Sequence, residues 1–244
     1  MTPEKYHFGT LSTRLEFFSY PRTGSHYLWT CLTGLLDLVY FPNEFIAQAE
    51  PRQRAEELNP HAFYVLGLRD AKVPFTPVYI DPEPRGTHAL PAAGKWPVIL
   101  LIRDPWPTVY SHYHTATDRW GLKVDDRVAW IRQAFAHYRD FYTAGFALAL
   151  QRPVPVHVVR YEELVAGPEA LIDLVDFIGV RPKLDPKFVH WWTQFDRMTR
   201  PGPKTFFRAG NNEAWRKDES WLRDLRAADV GSFDVFGYPA PAPG

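Results

Sequence analysis

The chain has 244 residues, 45% hydrophobic and 16% aromatic, with 28 basic and 28 acidic side chains and a pI of about 7.1. That composition is globular and long enough for one full core, and its zero formal charge argues against a general nucleic-acid or anionic-membrane surface, so any basic site must be local. The single cysteine, Cys31, excludes an internal disulfide framework and reads as a small buried hydrophobe; the N-terminal MTPEKYHFGT has neither a signal core nor a bilayer-spanning run, so a cytoplasmic location is expected.

In chain order, Leu15 to Tyr20 is an apolar, aromatic run suited to a buried strand. Pro21-Arg22-Thr23-Gly24-Ser25-His26 is a tight segment, after which Leu28, Cys31, Leu32, Leu35, Leu36 and Val39 recur on one helical face. Residues 41–61 suggest a short helix ending at Asn59-Pro60, residues 61–67 and 76–80 short strands, and the proline-rich residues 81–91 a loop. Residues 97–102 (PVILLI) read as a strand buried on both faces, and a helix is expected to begin near Pro107. A long helix is expected over 126–150, a β-branched strand over 154–159, and an amphipathic helix over 168–178 stopped by Gly179. Residues 185–198 look helical with Pro186 in the first turn, 201–217 loop-like, and 220–228 a last short helix. One domain over 1–244 is expected, with loose termini at 1–12 and 238–244. Strands alternating with helices predict an α/β fold, a three-layer sandwich with a central, mostly parallel sheet. Trp191-Trp192, Trp215 and Trp221 are assigned to packing.

The chemistry gathers where strands end. Strand, small-residue loop and helix aim backbone N–H groups and a positive helix end at an anion, with Arg22 and the hydroxyls of Thr23 and Ser25 as further donors. Gly-x-x-x-x-Gly-Lys-Ser/Thr does not occur, so this is P-loop-like without being the common P-loop. Arg103-Asp104-Pro105 leads to Ser111 two helical turns later, a spacing that can bring guanidinium and hydroxyl to one anion. Phe207-Arg208-Ala209-Gly210 precedes Trp215-Arg216 near the other end.

In this order, the stretches resemble the motifs of the PAPS-dependent sulfotransferases, where PAPS is 3′-phosphoadenosine 5′-phosphosulfate. The loop at 21–27 is similar to the family's 5′-phosphosulfate loop, Pro-Lys-Ser-Gly-Thr-Thr-Trp, with Arg22 in the lysine position and Tyr27 in the tryptophan position. Arg103 and Ser111 match the 3′-phosphate motif, and Arg208, Gly210 and Trp215 match Arg-Lys-Gly-x-x-Gly-Asp-Trp-Lys, with Ala209 for its lysine. Tyr161-Glu162-Glu163-Leu164 resembles Tyr-Glu-Asp-Leu, and Thr193-Gln194-Phe195 with Met198 resembles Thr-Ser-Phe-x-x-Met. Gly86-Thr87-His88-Ala89-Leu90-Pro91 resembles Lys-Thr-His-Leu-Pro, with glycine for lysine and an inserted Ala89.

The resemblance implies sulfuryl transfer from PAPS to a hydroxyl or amine of a small-molecule, carbohydrate or lipid acceptor. By it, His88 takes the acceptor proton and Arg22 stabilises leaving-group charge, with Ser111 completing the catalytic set. The donor-binding set is Arg22, Thr23, Gly24, Ser25, His26, Tyr27, Arg103, Ser111, Tyr161, Thr193, Phe195, Arg208, Ala209 and Gly210. Tyr161, Tyr27 and Phe195 would meet the adenine. His26, His112 and His114 compete with His88 as bases, and their bland roles are loop hydrogen bonding or pocket lining. No histidine spacing suits a metal, so none is expected. The rivals are a nucleoside or nucleotide kinase and a non-catalytic phosphoadenosine-binding protein.

Overall fold

The computed structural model describes residues 16–35, 98–119, 121–151, 155–179, 182, 184–194 and 213–240. In chain order these form β1 (Glu16–Ser19), α1 (Ser25–Leu35), β2 (Val98–Ile102), α2 (Pro105–His114), a π-helical turn (Thr115–Arg119) and α3 (Arg127–Gln151). Then follow β3 (Val156–Arg160), α4 (Tyr161–Ala166), α5 (Glu169–Ile178), α6 (Pro186–Trp192), a 3-10 turn (Ala214–Lys217), α7 (Glu219–Ala228) and a second 3-10 turn (Asp234–Phe236). The expectations for residues 41–91 lie outside the described residues.

The strands pair in parallel in the order β1-β2-β3, with Ser19 opposite Leu101 and Ile102 opposite Arg160. Every residue of β2 is buried, which accounts for its unbroken apolar sequence. Successive side chains alternate across the sheet. Ile99, Leu101 and Val159 join a core with α1, α4, α5 and Val189 of α6. Leu100 and Ile102 point the other way, into a core built with α2, α3, α7 and the aromatic residues Trp215, Phe233, Phe236 and Tyr238. Helices thus cover both faces of a parallel sheet, the three-layer α/β arrangement that the alternation of elements predicts.

The strand ends agree with the sequence reading to within a residue or two. α2 starts at Pro105 rather than Pro107, because Asp104 Oδ1 accepts the Trp106 N–H at 2.9 Å and proline suits the first helical position. α5 stops at Gly179, whose φ of 74° places it in the left-handed region. α6 is shorter than predicted: the Thr193 N–H closes its last turn on the Val189 carbonyl. Trp215 and Trp221 are packing residues, as read, whereas Trp191 and Trp192 are exposed.

One expectation needs correction. Tyr238, placed at the head of a loose tail, is 9% exposed. Its backbone bridges Phe233, its hydroxyl donates to Glu162 Oε2 at 2.9 Å, and the Arg160 guanidinium lies 5.2 Å from its ring centre. The short proline- and alanine-rich stretch concealed this anchor, since one aromatic residue carries the packing.

Candidate functional site

The loop from β1 to α1 is shaped by its own backbone and hydroxyls. The Tyr20 carbonyl accepts both the Thr23 N–H, at 3.3 Å, and the Thr23 hydroxyl, at 2.7 Å. Pro21 occupies the second position of this turn and Arg22 the third, with φ of 69°. A positive φ there is usually left to glycine or asparagine, and an ordinary side chain costs about 1–2 kcal/mol. Arg22 is therefore held in a conformation that its own chemistry disfavours. Gly24 follows with φ of 99°, and a Cβ on it would lie 2.3 Å from Cδ2 of Tyr161. Leu28 N–H bonds the Gly24 carbonyl, so α1 opens directly from the loop and its first-turn N–H groups lack acceptors within the helix.

Side chains from four elements meet on this loop. Arg22 Nε donates to Ser111 Oγ of α2 at 3.3 Å. Arg103, immediately after β2, donates from Nη1 to the Arg22 carbonyl at 2.8 Å. Its guanidinium stacks 4.4 Å from the ring centre of Tyr161, the first residue of α4. The structure thus brings together Arg22, Gly24, Arg103, Ser111 and Tyr161 of the sequence-predicted set. Two guanidinium groups in one connected cluster, beside a helix N-terminus, form a donor-rich arrangement that an anion would stabilise.

Other predicted residues occupy different roles. The Thr23 hydroxyl is committed to Tyr20, and Ser25 Oγ lies 2.7 Å from Ser19 Oγ, so both hydroxyls knit the loop to β1. Tyr27, expected beside adenine, is 2% exposed and packs edge-on against Tyr161 at 6.1 Å. Thr193 is fully buried and donates to the Val189 carbonyl at 2.9 Å, with the Cys31 thiol 3.5 Å away. Burial pushes that thiol up to about 12, in keeping with Cys31 as an inert core residue. Tyr161 is 4% exposed, its ring held between Gly24 and Arg103. His112 is buried, edge-on to Tyr20 and Trp130, and His114 pairs through Nδ1 with Asp118 at 3.4 Å. His88, Phe195, Arg208, Ala209, Gly210 and the His26 side chain lie outside the described residues.

Sequence reasoning missed the groups that brace the strand ends. Tyr142 donates to the Leu101 carbonyl at 2.6 Å and accepts the Tyr20 N–H at 3.3 Å, tying β2 to the end of β1. Tyr138, one turn earlier on α3, donates to the Arg103 carbonyl. Their signal was two tyrosines four residues apart on a buried helical face, where each hydroxyl requires a partner. Glu162 accepts the Asp104 N–H at 2.9 Å. Burial pushes the neighbouring Asp104 carboxyl up to about 6; Glu162 adds to the rise, while the Trp106 amide, Arg103 and Arg216 oppose it.

No family model matches the chain, and no curated protein does. Among solved structures, mouse sulfotransferase SULT7A1 complexed with PAP aligns with 92% of this chain and 83% of its own. The TM-score is 0.50 and the sequence identity 16%. The chain has the fold of a sulfotransferase. In that fold the loop after β1 and the end of β2 lie side by side at one edge of the sheet, where α/β proteins collect ligands. Among the described residues no cluster of His, Cys, Asp and Glu could hold a metal ion, and no helix is long and apolar enough to cross a membrane.

Gly24 offers a direct test of the contact between the loop and Tyr161. Gly24→Ala places a Cβ inside the Tyr161 ring at an unfavourable φ, so a loss of about 2–3 kcal/mol is expected in urea denaturation. A variant as stable as the parent would mean that the loop and Tyr161 do not meet as described.

Proposed function

We propose that the protein transfers a sulfuryl group from 3′-phosphoadenosine 5′-phosphosulfate to a hydroxyl or amine acceptor. The observation that carries this reading is the convergence of Arg22, Arg103 and Ser111 at adjacent strand ends, in a chain whose fold matches a sulfotransferase. The donor set suits such a ligand: guanidinium and hydroxyl groups supply N–H and O–H donors to oxyanions. Bound there, the ligand would supply the activated sulfuryl group.

In this reading the loop at 21–27 receives the 5′ end through its backbone N–H groups, and Arg103 with Ser111 receives the 3′-phosphate. Sulfuryl transfer resembles phosphoryl transfer, in which alignment and charge stabilisation dominate. Arg22 offers fixed positive charge toward the leaving oxygen and cannot serve as a proton donor at ordinary pH. His88 takes the acceptor proton, a role to which an imidazole is suited. The motif resemblance adds Arg208, Ala209 and Gly210 to the 3′-phosphate set and Phe195 to the adenine set. The acceptor is a small molecule, carbohydrate or lipid, neither nucleic acid nor a metal is required, and the cytoplasm is the place of action.

Calorimetric titration with 3′-phosphoadenosine 5′-phosphate, beside AMP and ADP and without metal, tests the donor site. Tight binding confined to the 3′-phosphorylated ligand is the expected result. Binding that requires magnesium and a triphosphate would replace this reading with a kinase. Selective binding without transfer to any acceptor in a broad panel would replace it with a phosphoadenosine-binding protein.

A further inference from the structure

We propose that Glu162 and Tyr238 are positioning residues for Arg103, acting through the peptide that joins Arg103 to Asp104; this rests on the donor site described above. That peptide is bonded on both sides. Its carbonyl accepts the Tyr138 hydroxyl from α3, and its N–H donates to Glu162 Oε1 at 2.9 Å. The other carboxylate oxygen, Oε2, accepts the Tyr238 hydroxyl at 2.9 Å. Glu162 therefore joins the C-terminal turn to the strand end that carries Arg103.

Tyr161 precedes Glu162, and its ring holds the Arg103 guanidinium at 4.4 Å. One helix start thus fixes both the backbone and the side chain of Arg103. Arg103 passes the constraint on, since its Nη1 bonds the carbonyl of left-handed Arg22 at 2.8 Å. The C-terminal turn is itself well tied. Arg160 Nη2 donates to the Phe236 carbonyl at 3.0 Å, and Trp106 Nε1 donates to the Pro239 carbonyl at 3.2 Å.

The charge of Glu162 sharpens the assignment. A carboxylate next to a site for a polyanion opposes ligand binding by simple repulsion. Its two bonds give it a compensating role: it holds a backbone whose arginine must meet a phosphate to within a few tenths of an ångström. Glutamine keeps both bonds, because its oxygen accepts from Asp104 and its NH₂ donates to the Tyr238 oxygen, and it removes the repulsion.

The test compares calorimetric affinities for 3′-phosphoadenosine 5′-phosphate and AMP in the parent, Glu162→Ala, Glu162→Gln, Tyr238→Phe and the Glu162→Ala/Tyr238→Phe double variant. Melting curves confirm folding first. Glu162→Ala should lower the preference for the 3′-phosphorylated ligand about tenfold, and Tyr238→Phe about threefold. Glu162→Gln should restore it to the parent value or above. The double variant should bind no worse than Glu162→Ala, because both changes act through one path. Unchanged preference in both Glu162→Ala and Tyr238→Phe, or strictly additive losses, would overturn the positioning role and leave the donor site standing. If Glu162→Ala does not fold, Tyr238→Phe with Glu162→Gln decides the matter, since each keeps the buried ring or the side-chain volume. A parent that shows no preference at all would overturn the donor site, and this inference with it.

Discussion

Arg22→Asn is expected to hold stability within about 1 kcal/mol of the parent while sulfuryl transfer falls by on the order of 100-fold or more. Arg22 sits at φ of 69° in the turn closed by Tyr20 and Thr23, and asparagine is among the residues that accept this region best. The substitution therefore relieves backbone strain while removing the Nε bond to Ser111 at 3.3 Å. On the proposed reading Arg22 is the cation nearest the leaving oxygen, and no neutral side chain replaces that charge. Melting curves and initial rates at saturating donor check the two halves separately. Parent-level turnover in a stable variant would remove Arg22 from catalysis. Strained backbone at a position of little structural value is a pattern of functional sites, and this variant asks whether the pattern holds here.

Arg103→Ala is expected to weaken binding of 3′-phosphoadenosine 5′-phosphate on the order of 100-fold and that of AMP far less, with the fold intact. Two losses are superimposed. On the proposed reading, removing the guanidinium takes charge-assisted bonds from the 3′-phosphate, which AMP does not possess. It also removes the bond to the Arg22 carbonyl at 2.8 Å and the stacking on Tyr161, together worth about 1–2 kcal/mol of loop rigidity. The ratio of the two affinities, by calorimetry, separates them. Equal weakening for both ligands would mean that Arg103 holds the loop without reading the 3′-phosphate.

The sheet was legible because its sequences have a single physical solution. Val98–Ile102 is apolar at every position, as only a strand buried on both faces tolerates, and Gly179 stops α5 where the periodicity ends. The strand, tight loop and helix around Arg22 were legible because proline, glycine and a following helical face fix that geometry. The division of labour inside that loop was not legible. A hydroxyl serves an anion or a carbonyl equally well, and only the turn decides that Thr23 bonds Tyr20. The packing of Tyr27 was hidden for a similar reason: helical phase alone does not say which side of α1 meets Tyr161. The brace around Arg103 eluded sequence reading because Tyr138, Glu162 and Tyr238 meet only in three dimensions.

The sheet register has a bearing on how the molecule comes into being. Glu16 pairs with Val98, and Val98 with Val156, so none of the described strands finds its partner nearby along the chain. Such pairings require large loops to close before any stabilising contact forms, which slows folding. During synthesis the loop bearing Arg22 leaves the ribosome before the C-terminal turn, and Tyr238 follows on the order of ten to forty seconds later. Until then Glu162 lacks its outer bond and the end of β2 lacks its cover of Trp106 against Pro239. The nascent protein therefore passes through an interval in which its sheet can assemble while the arginine at its edge is still unbraced.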